Sequence, residues 1–405
     1  MTRGNSTIPP WLTRNVALLS FSAFFADMGY QAVTAVFPLL LIIKMHEPAY
    51  LYGLILALSY GLGSAVSLLG GRLGDKYGKK TISIIGNLFI PLMSVAALFQ
   101  NIWLVGALFV LGWWARYFRS PARRAWLVDI SSPGHRTKVF GFLHSLDVGG
   151  GIVAVAYTSL LVYLKVPFSE IMLVTIAPLL VSSACLVPAS QRPEGAALRQ
   201  ETETEGTSSI ISGRDGFVLR ALLISATLFG FSFYALGFPI ITVAESQSSP
   251  VLGILTFGIF LGASSLAGYL LGVFHGRRPV RTLWTLGYLL AAASSLAIGL
   301  AYLFHLDLWL YYLGAAGLGF ATGSVETFEP VLVSFLVRAK KLSSGMGWLS
   351  SSRALGLFVS NLAMGILFVF SQFDSYTYAA LSACFAAVIL SVADLRKARP
   401  GKDPA

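Results

Sequence analysis

The chain has 405 residues, 56% hydrophobic and only 12% charged, against about 25% charged in a soluble domain. A mean hydropathy of +0.73 over this length excludes a water-soluble core and requires lipid as solvent. The net charge of +11 does not indicate nucleic acid, because Lys and Arg sit in short connectors between apolar runs, with no basic face and no aromatic–basic alternation.

Twelve apolar runs follow one another, each near the roughly 20 residues a helix needs to cross a bilayer. They are Asn15–Ile43, Tyr50–Gly70, Thr81–Phe99, Ile102–Phe118, Val139–Leu164 and Phe168–Pro188, then Phe217–Ala244, Val251–Phe274, Thr282–Phe304, Leu308–Val337, Gly345–Phe370 and Tyr376–Leu395. Lipid cannot satisfy an open backbone, so helices are forced. The first run contains Asp27 and is longer than a signal-peptide core, so it is expected to be retained. Between runs six and seven, residues 189–215 are polar and aperiodic, with Pro193, Glu201, Glu203, Glu205 and Gly213. They read as a cytosolic linker between domains 1–188 and 216–405.

Of the 29 Lys and Arg, only Lys44 and Lys165 fall in connectors opposite the N-terminus. The others lie in or beside the N-terminal-side connectors or in the tails, except Arg353, which is inside a span. This asymmetry places both termini in the cytosol. The chain also repeats. A shift of 198 aligns Gly70, Gly74 and Gly78 with Gly268, Gly272 and Gly276, and Lys79-Lys80 with Arg277-Arg278. A shift of 206 aligns Gly141-Phe142-Leu143-His144-Ser145 with Gly347-Trp348-Leu349-Ser350-Ser351, and Asp147 with Arg353. Two half-molecules of one membrane-embedded design point to a transporter.

Ionisable residues inside the spans are functional candidates, because a charge there costs about 2.5–3.5 kcal/mol on insertion scales. Asp27 is near the middle of span one and could take up and release a proton. Glu326 and Glu329, three apart, share a face of span ten and could share a proton or hold a cation. Pro330 would weaken the helix beside them. The other reading of Glu329 is a pair with Arg338 or Lys340. His144, Asp147 and Arg353 lie about two turns inside their spans and read as a charge network or a substrate contact. No enzyme chemistry is present: no phosphate loop, zinc-hydrolase histidines or nucleophile elbow. No cofactor or metal is expected. Cys185 and Cys384 lie in apolar runs and read as packing residues.

The segment Gly71-Arg72-Leu73-Gly74-Asp75-Lys76-Tyr77-Gly78-Lys79-Lys80 resembles the loop between spans two and three of the major facilitator superfamily. With twelve spans, a mid-chain linker and a degenerate second copy, the resemblance covers nearly the whole chain. It implies an all-α membrane protein with twelve transmembrane helices in two pseudo-symmetric six-helix bundles, acting as a monomer. It implies that Gly71, Asp75, Gly78, Lys79 and Lys80 form a cytosolic gate motif, with Asp75 bracing the start of span eleven near Ser343 to Gly345. It implies a path lined by spans one, four, seven and ten, where Phe24, Tyr30, Phe231, Tyr234 and Phe238 would suit an apolar or aromatic solute. Three stretches resemble a prokaryotic efflux-like branch: Ser20 to Asp27, Arg119-Ser120-Pro121-Ala122-Arg123-Arg124-Ala125-Trp126-Leu127-Val128-Asp129, and Phe140-Gly141 with Asp147. Two places depart from the family pattern. Span four has its nearest cation, Arg116, toward the cytosolic end, and Ala154-Val155 stands where antiporters carry Gly-Pro.

The expected protein is a secondary transporter in the cytoplasmic membrane. It would move a small amphipathic solute by alternating access, with protons as partners and export as the direction. An uncoupled or proton-symporting importer is the alternative, and a non-transporting receptor or scaffold is the reading from another class.

Overall fold

The structure, a computed structural model, describes residues 9, 11–131, 135–190, 213–232, 234–273, 279–336 and 342–398. The expected linker lies almost wholly outside the described residues, as do Arg277, Arg278, Arg338 and Lys340. Among the described residues there is no strand. The helical stretches are α1 (Arg14–Lys44), α2 (Ala49–Tyr77), α3 (Lys79–Leu98), α4 (Ile102–Ile130), α5 (Arg136–Tyr163) and α6 (Phe168–Leu186). Then come α7 (Phe217–Ser246), α8 (Pro250–Val273), α9 (Pro279–Leu303), α10 (Leu308–Leu336), α11 (Leu342–Phe370) and α12 (Gln372–Ala398).

Ten of these are long and apolar enough to cross a membrane. The other two, α4 and α10, have 29 residues each, which at a rise of about 1.5 Å per residue exceeds the bilayer core. The set is consistent with twelve. The apolar run predicted to end at Phe118 continues as helix to Ile130. That extension carries Arg119 and Arg123 into the protein, where both are buried. A run of arginines reads as a connector unless internal partners exist, and here they do. The start of α4 is set by Asn101, whose side chain accepts from the backbone N–H of Trp103 and Leu104 at 3.0 and 3.2 Å.

By packing, the chain divides into two compact units: Met1–Phe37 with Ala65–Thr202, and Pro38–Ser64 with Glu203–Ala405. In the first unit α3 packs on α4 and α6. Fully buried Trp126 sits among Leu19, Ile130, Val139, Leu143 and Leu186, and its indole N–H donates to the carbonyl of Ser190 at 3.1 Å. A polar seam stitches three helices together. Asn87 of α3 donates to Ser182 and Ser183 of α6 at 2.9 and 2.8 Å, and Ser182 donates to the carbonyl of Ser22 in α1 at 2.6 Å. In lipid such bonds tie helices where hydrophobicity alone cannot.

In the second unit α8 packs on α10, α7 on α11 and α12, and α9 on α10 and α12. Small residues allow a close crossing: a Cβ on Gly356 of α11 would lie 2.4 Å from the Cα of Gly230 in α7. Helix α7 is broken, helical over Gly213–Ser232 and again over Gly237–Ser246. The freed backbone is satisfied by Asn361, whose side-chain oxygen accepts from the N–H of Ala235 at 3.0 Å. Non-helical backbone at membrane depth is tolerated only with such a partner.

Candidate functional site

Two clusters of ionisable side chains lie inside the units. In the first unit Asp27 of α1 is 6% exposed. Tyr30, one turn on, donates its hydroxyl to Asp27. Arg116 of α4 donates to the Tyr30 oxygen at 3.1 Å, and its guanidinium lies 4.5 Å over the Tyr30 ring and 5.0 Å over that of Trp113. Among the described residues Asp27 has no direct ion pair. It meets its cation through a phenol. Asp147 of α5 and Arg123 of α4 also act on Asp27 electrostatically. The approach of α5 depends on Gly150, where a Cβ would come 2.3 Å from the carbonyl of Phe24 and 3.1 Å from the Cβ of Asp27.

Further along α4, Arg119 is 1% exposed and donates to the side-chain oxygen of Asn87 at 2.5 Å. Arg123, 8% exposed, reaches Asp147 only at 3.9 Å. Arg116, Arg119 and Arg123 are spaced three and four apart and so share a face. That spacing is the signal that could have singled them out from sequence, where they pass for topology charges.

In the second unit Glu329 of α10 is fully buried. It accepts from Tyr288 of α9 at 2.6 Å and from Nε of Arg353 of α11 at 2.6 Å. Arg353 also donates to the carbonyl of Val325 at 3.2 Å, and the Tyr288 ring stacks on Phe229 at 4.7 Å. Both carboxylate oxygens are therefore engaged. Glu326 is exposed, so the two glutamates that sequence places on one face sit in different environments. His144 is exposed, and among the described residues the ion pair of Asp147 is with Arg123.

The clusters are related by the internal repeat. A shift of 206 carries Arg123 onto Glu329 and Asp147 onto Arg353. The same pair of helix positions holds an ion pair in each unit with the charges exchanged. In the second unit the pair is tight and part of a closed network, whereas in the first it is long and open.

The gate motif ends α2 and begins α3. Gly78 takes φ 99°, a left-handed conformation that favours glycine. Lys79 pairs with Asp129 at 2.6 Å, and Lys80 donates to the carbonyls of Val187 and Ala189 at 2.7 and 2.8 Å, just past the end of α6. Both lysines thus have structural partners within their unit. The Lys79–Asp129 pair is exposed enough that Lys79→Ala should cost at most about 1 kcal/mol, read as a thermal shift at two salt concentrations. Gly71 is half-buried beside Pro121, and Asp75 is exposed without a partner among the described residues. Its expected brace, the side chains near Ser343 to Gly345, lies outside the described residues.

Of the five aromatics expected at the solute path, Tyr30 belongs to the first cluster, and Phe24 packs edge-on to Phe25 with ring centroids 5.3 Å apart. Tyr234 is buried with its hydroxyl 3.2 Å from that of Ser295. Phe238 is buried between Tyr52 and Phe368, at centroid distances of 5.3 Å each. Phe231 is half-buried.

Residues 19–361 match the Major Facilitator Superfamily as a family. The chain belongs to that superfamily. It is therefore a multi-pass membrane protein and a secondary transporter, not an enzyme. Over 388 residues it is 22% identical to an uncharacterized MFS-type transporter of Methanocaldococcus jannaschii, covering 94% of each chain. Solved structures share the fold of this transporter at low identity. A bacterial homolog of the human lysosomal transporter Spinster, inward-facing and unoccupied, matches with TM-score 0.72 and 13% identity over 98% of this chain and 100% of that one. A POT family transporter in complex with 5-aminolevulinic acid matches with TM-score 0.74 and 12% identity, over 95% and 97%. The nucleoside transporter NupG matches with TM-score 0.73 and 12% identity, over 95% and 100%. These likenesses establish the fold alone.

Proposed function

We propose that this transporter moves a small amphipathic solute by alternating access and couples that movement to protons through Asp27. The observation that carries this reading is the placement of Asp27: buried, bonded to Tyr30, linked through it to Arg116, and within the influence of a second acid, Asp147. An acid so held can exchange a proton without leaving a bare charge in lipid. The net charge of the cluster changes by one when it does. A proton then shifts the balance between access states by its differential affinity for them. The Glu329–Arg353 pair is a fixed counterpart in the other unit. Asp75 and Gly78 serve as gate and turn, and the five aromatics shape the path.

Export across the cytoplasmic membrane, by a monomer with both termini in the cytosol, is supported by the efflux-like stretches and by the bias of Lys and Arg. Proton-driven or uncoupled uptake is the second reading, favoured by Ala154-Val155 in place of Gly-Pro.

The test uses a solute found by a thermal-shift screen, in proteoliposomes, with and without a proton gradient. One pH unit is worth about 1.4 kcal/mol per proton, or about tenfold accumulation. Asp27→Asn should abolish gradient-driven accumulation and retain counterflow exchange. Equal stimulation of wild type and variant by the gradient would sink coupling through Asp27.

A further inference from the structure

The open half of the exchanged ion pair is the feature left over by proton coupling. In the first unit three guanidiniums, of Arg116, Arg119 and Arg123, face two carboxylates, of Asp27 and Asp147. Arg116 is occupied by Tyr30 and the aromatic rings. Among the described residues Arg119 has only a neutral amide, that of Asn87, as its hydrogen-bond acceptor. Nε of Arg119, and Nε and Nη1 of Arg123, are buried and bond to no protein acceptor among the described residues. Arg119 and Arg123 are one turn apart and close enough to repel. Two buried like charges on adjacent turns with unspent N–H groups are a costly arrangement. The pseudo-equivalent pair in the second unit has no such surplus, since its carboxylate is satisfied on both oxygens.

We propose that Arg123 and Arg119 form an oxyanion site in the N-terminal unit, which takes a carboxylate or phosphoryl group of the transported solute. The planar fork of a guanidinium suits a two-oxygen acceptor, and charge-assisted bonds of this kind are the strong ones. Asp147, whose Oδ1 lies 3.9 Å from Arg123 and is itself buried without a hydrogen-bond partner among the described residues, offsets part of the charge of the site without engaging the fork. The cargo is then an amphipathic organic anion. That the oxyanion belongs to the cargo rests on the transport reading above. The existence of the site does not.

The experiment uses the purified full chain in nanodiscs of phosphatidylcholine, with inorganic phosphate or acetate as probe and sodium chloride at equal ionic strength as control. Either oxyanion should raise the melting temperature of wild type above the chloride value, as a ligand of the folded state does. Arg123→Gln should weaken the apparent affinity at least about tenfold, the loss of one charge-assisted bond, while Lys138→Gln, which removes an exposed cation of the same unit, should leave it unchanged. If Arg123→Gln does not fold, Arg123→Gln with Asp147→Asn removes the pair without stranding a charge, and the same loss is expected. No difference between oxyanion and chloride on wild type overturns the site. So does an oxyanion response that survives both Arg123 variants.

A further arm adds phosphatidylglycerol to the nanodiscs. If this lipid alone stabilises, in an Arg123-dependent way, the occupant is a headgroup and the solute assignment falls. Because no gradient is used, a failure here is separable from a failure of coupling at Asp27.

Discussion

Replacing Arg353 by glutamine should destabilise the protein by about 3–5 kcal/mol, because it strands the fully buried Glu329 without its cation. The side chain of Arg353 is 28% exposed and that of Glu329 not at all, so the two deletions are not equivalent. Glu329→Gln leaves a cation that is partly exposed and still bonds to the carbonyl of Val325, and its cost should be clearly smaller. The double variant Glu329→Gln with Arg353→Gln should recover most of the loss, since an amide can still accept from Tyr288. Thermal unfolding in one fixed detergent, run on the three variants together, reads this ordering directly. Equal costs of only about 1 kcal/mol for the two single variants would mean that Glu329 is not held as a charge, and that the pair contributes no more than a neutral hydrogen bond.

The comparison with the first unit explains why this pair and its partner had to be seen in space. The repeat was legible in the sequence: Gly141 to Asp147 aligns with Gly347 to Arg353. That alignment relates Asp147 to Arg353, but says nothing of what either touches. The partners are Arg123 and Glu329, which obey the same shift while having opposite charge, so similarity of residue type conceals the match. The helices themselves were plain because hydrocarbon solvent leaves only one backbone solution for a long apolar run. The end of α4 was not. Composition alone cannot tell a basic connector from a basic helix whose arginines pack beside Asp147 and Asn87 of neighbouring helices. The break in α7 was marked in the sequence by Gly237 and Pro239, both poor helix residues, but its partner was hidden. What permits the break is Asn361, more than a hundred residues away.

A second large effect is expected at Gly150. A Cβ there meets the backbone carbonyl of Phe24 at 2.3 Å, and no side-chain rotation can relieve a clash with backbone. Gly150→Ala should therefore force α5 away from α1 and cost about 1–3 kcal/mol as an overpacked contact. The same Cβ lies 3.1 Å from that of Asp27, so the carboxyl and its bond to Tyr30 shift with the helix. Small displacements of a reacting group can cost on the order of a hundredfold in rate. Proton-driven transport by Gly150→Ala should fall by at least about tenfold on that scale, while the folded protein remains abundant enough to assay.

Gly141 on the same helix supplies the control. A Cβ there meets nothing within 4 Å, so Gly141→Ala should be neutral or stabilise by up to about 1 kcal/mol through helix propensity. Stability and gradient-driven uptake measured on both variants separate the two positions. If Gly150→Ala loses stability but keeps full coupling, the geometry of Asp27 does not govern the proton step. If it loses neither, the close approach of α1 and α5 is relieved elsewhere in the unit, and the contact between those helices is softer than its distances imply.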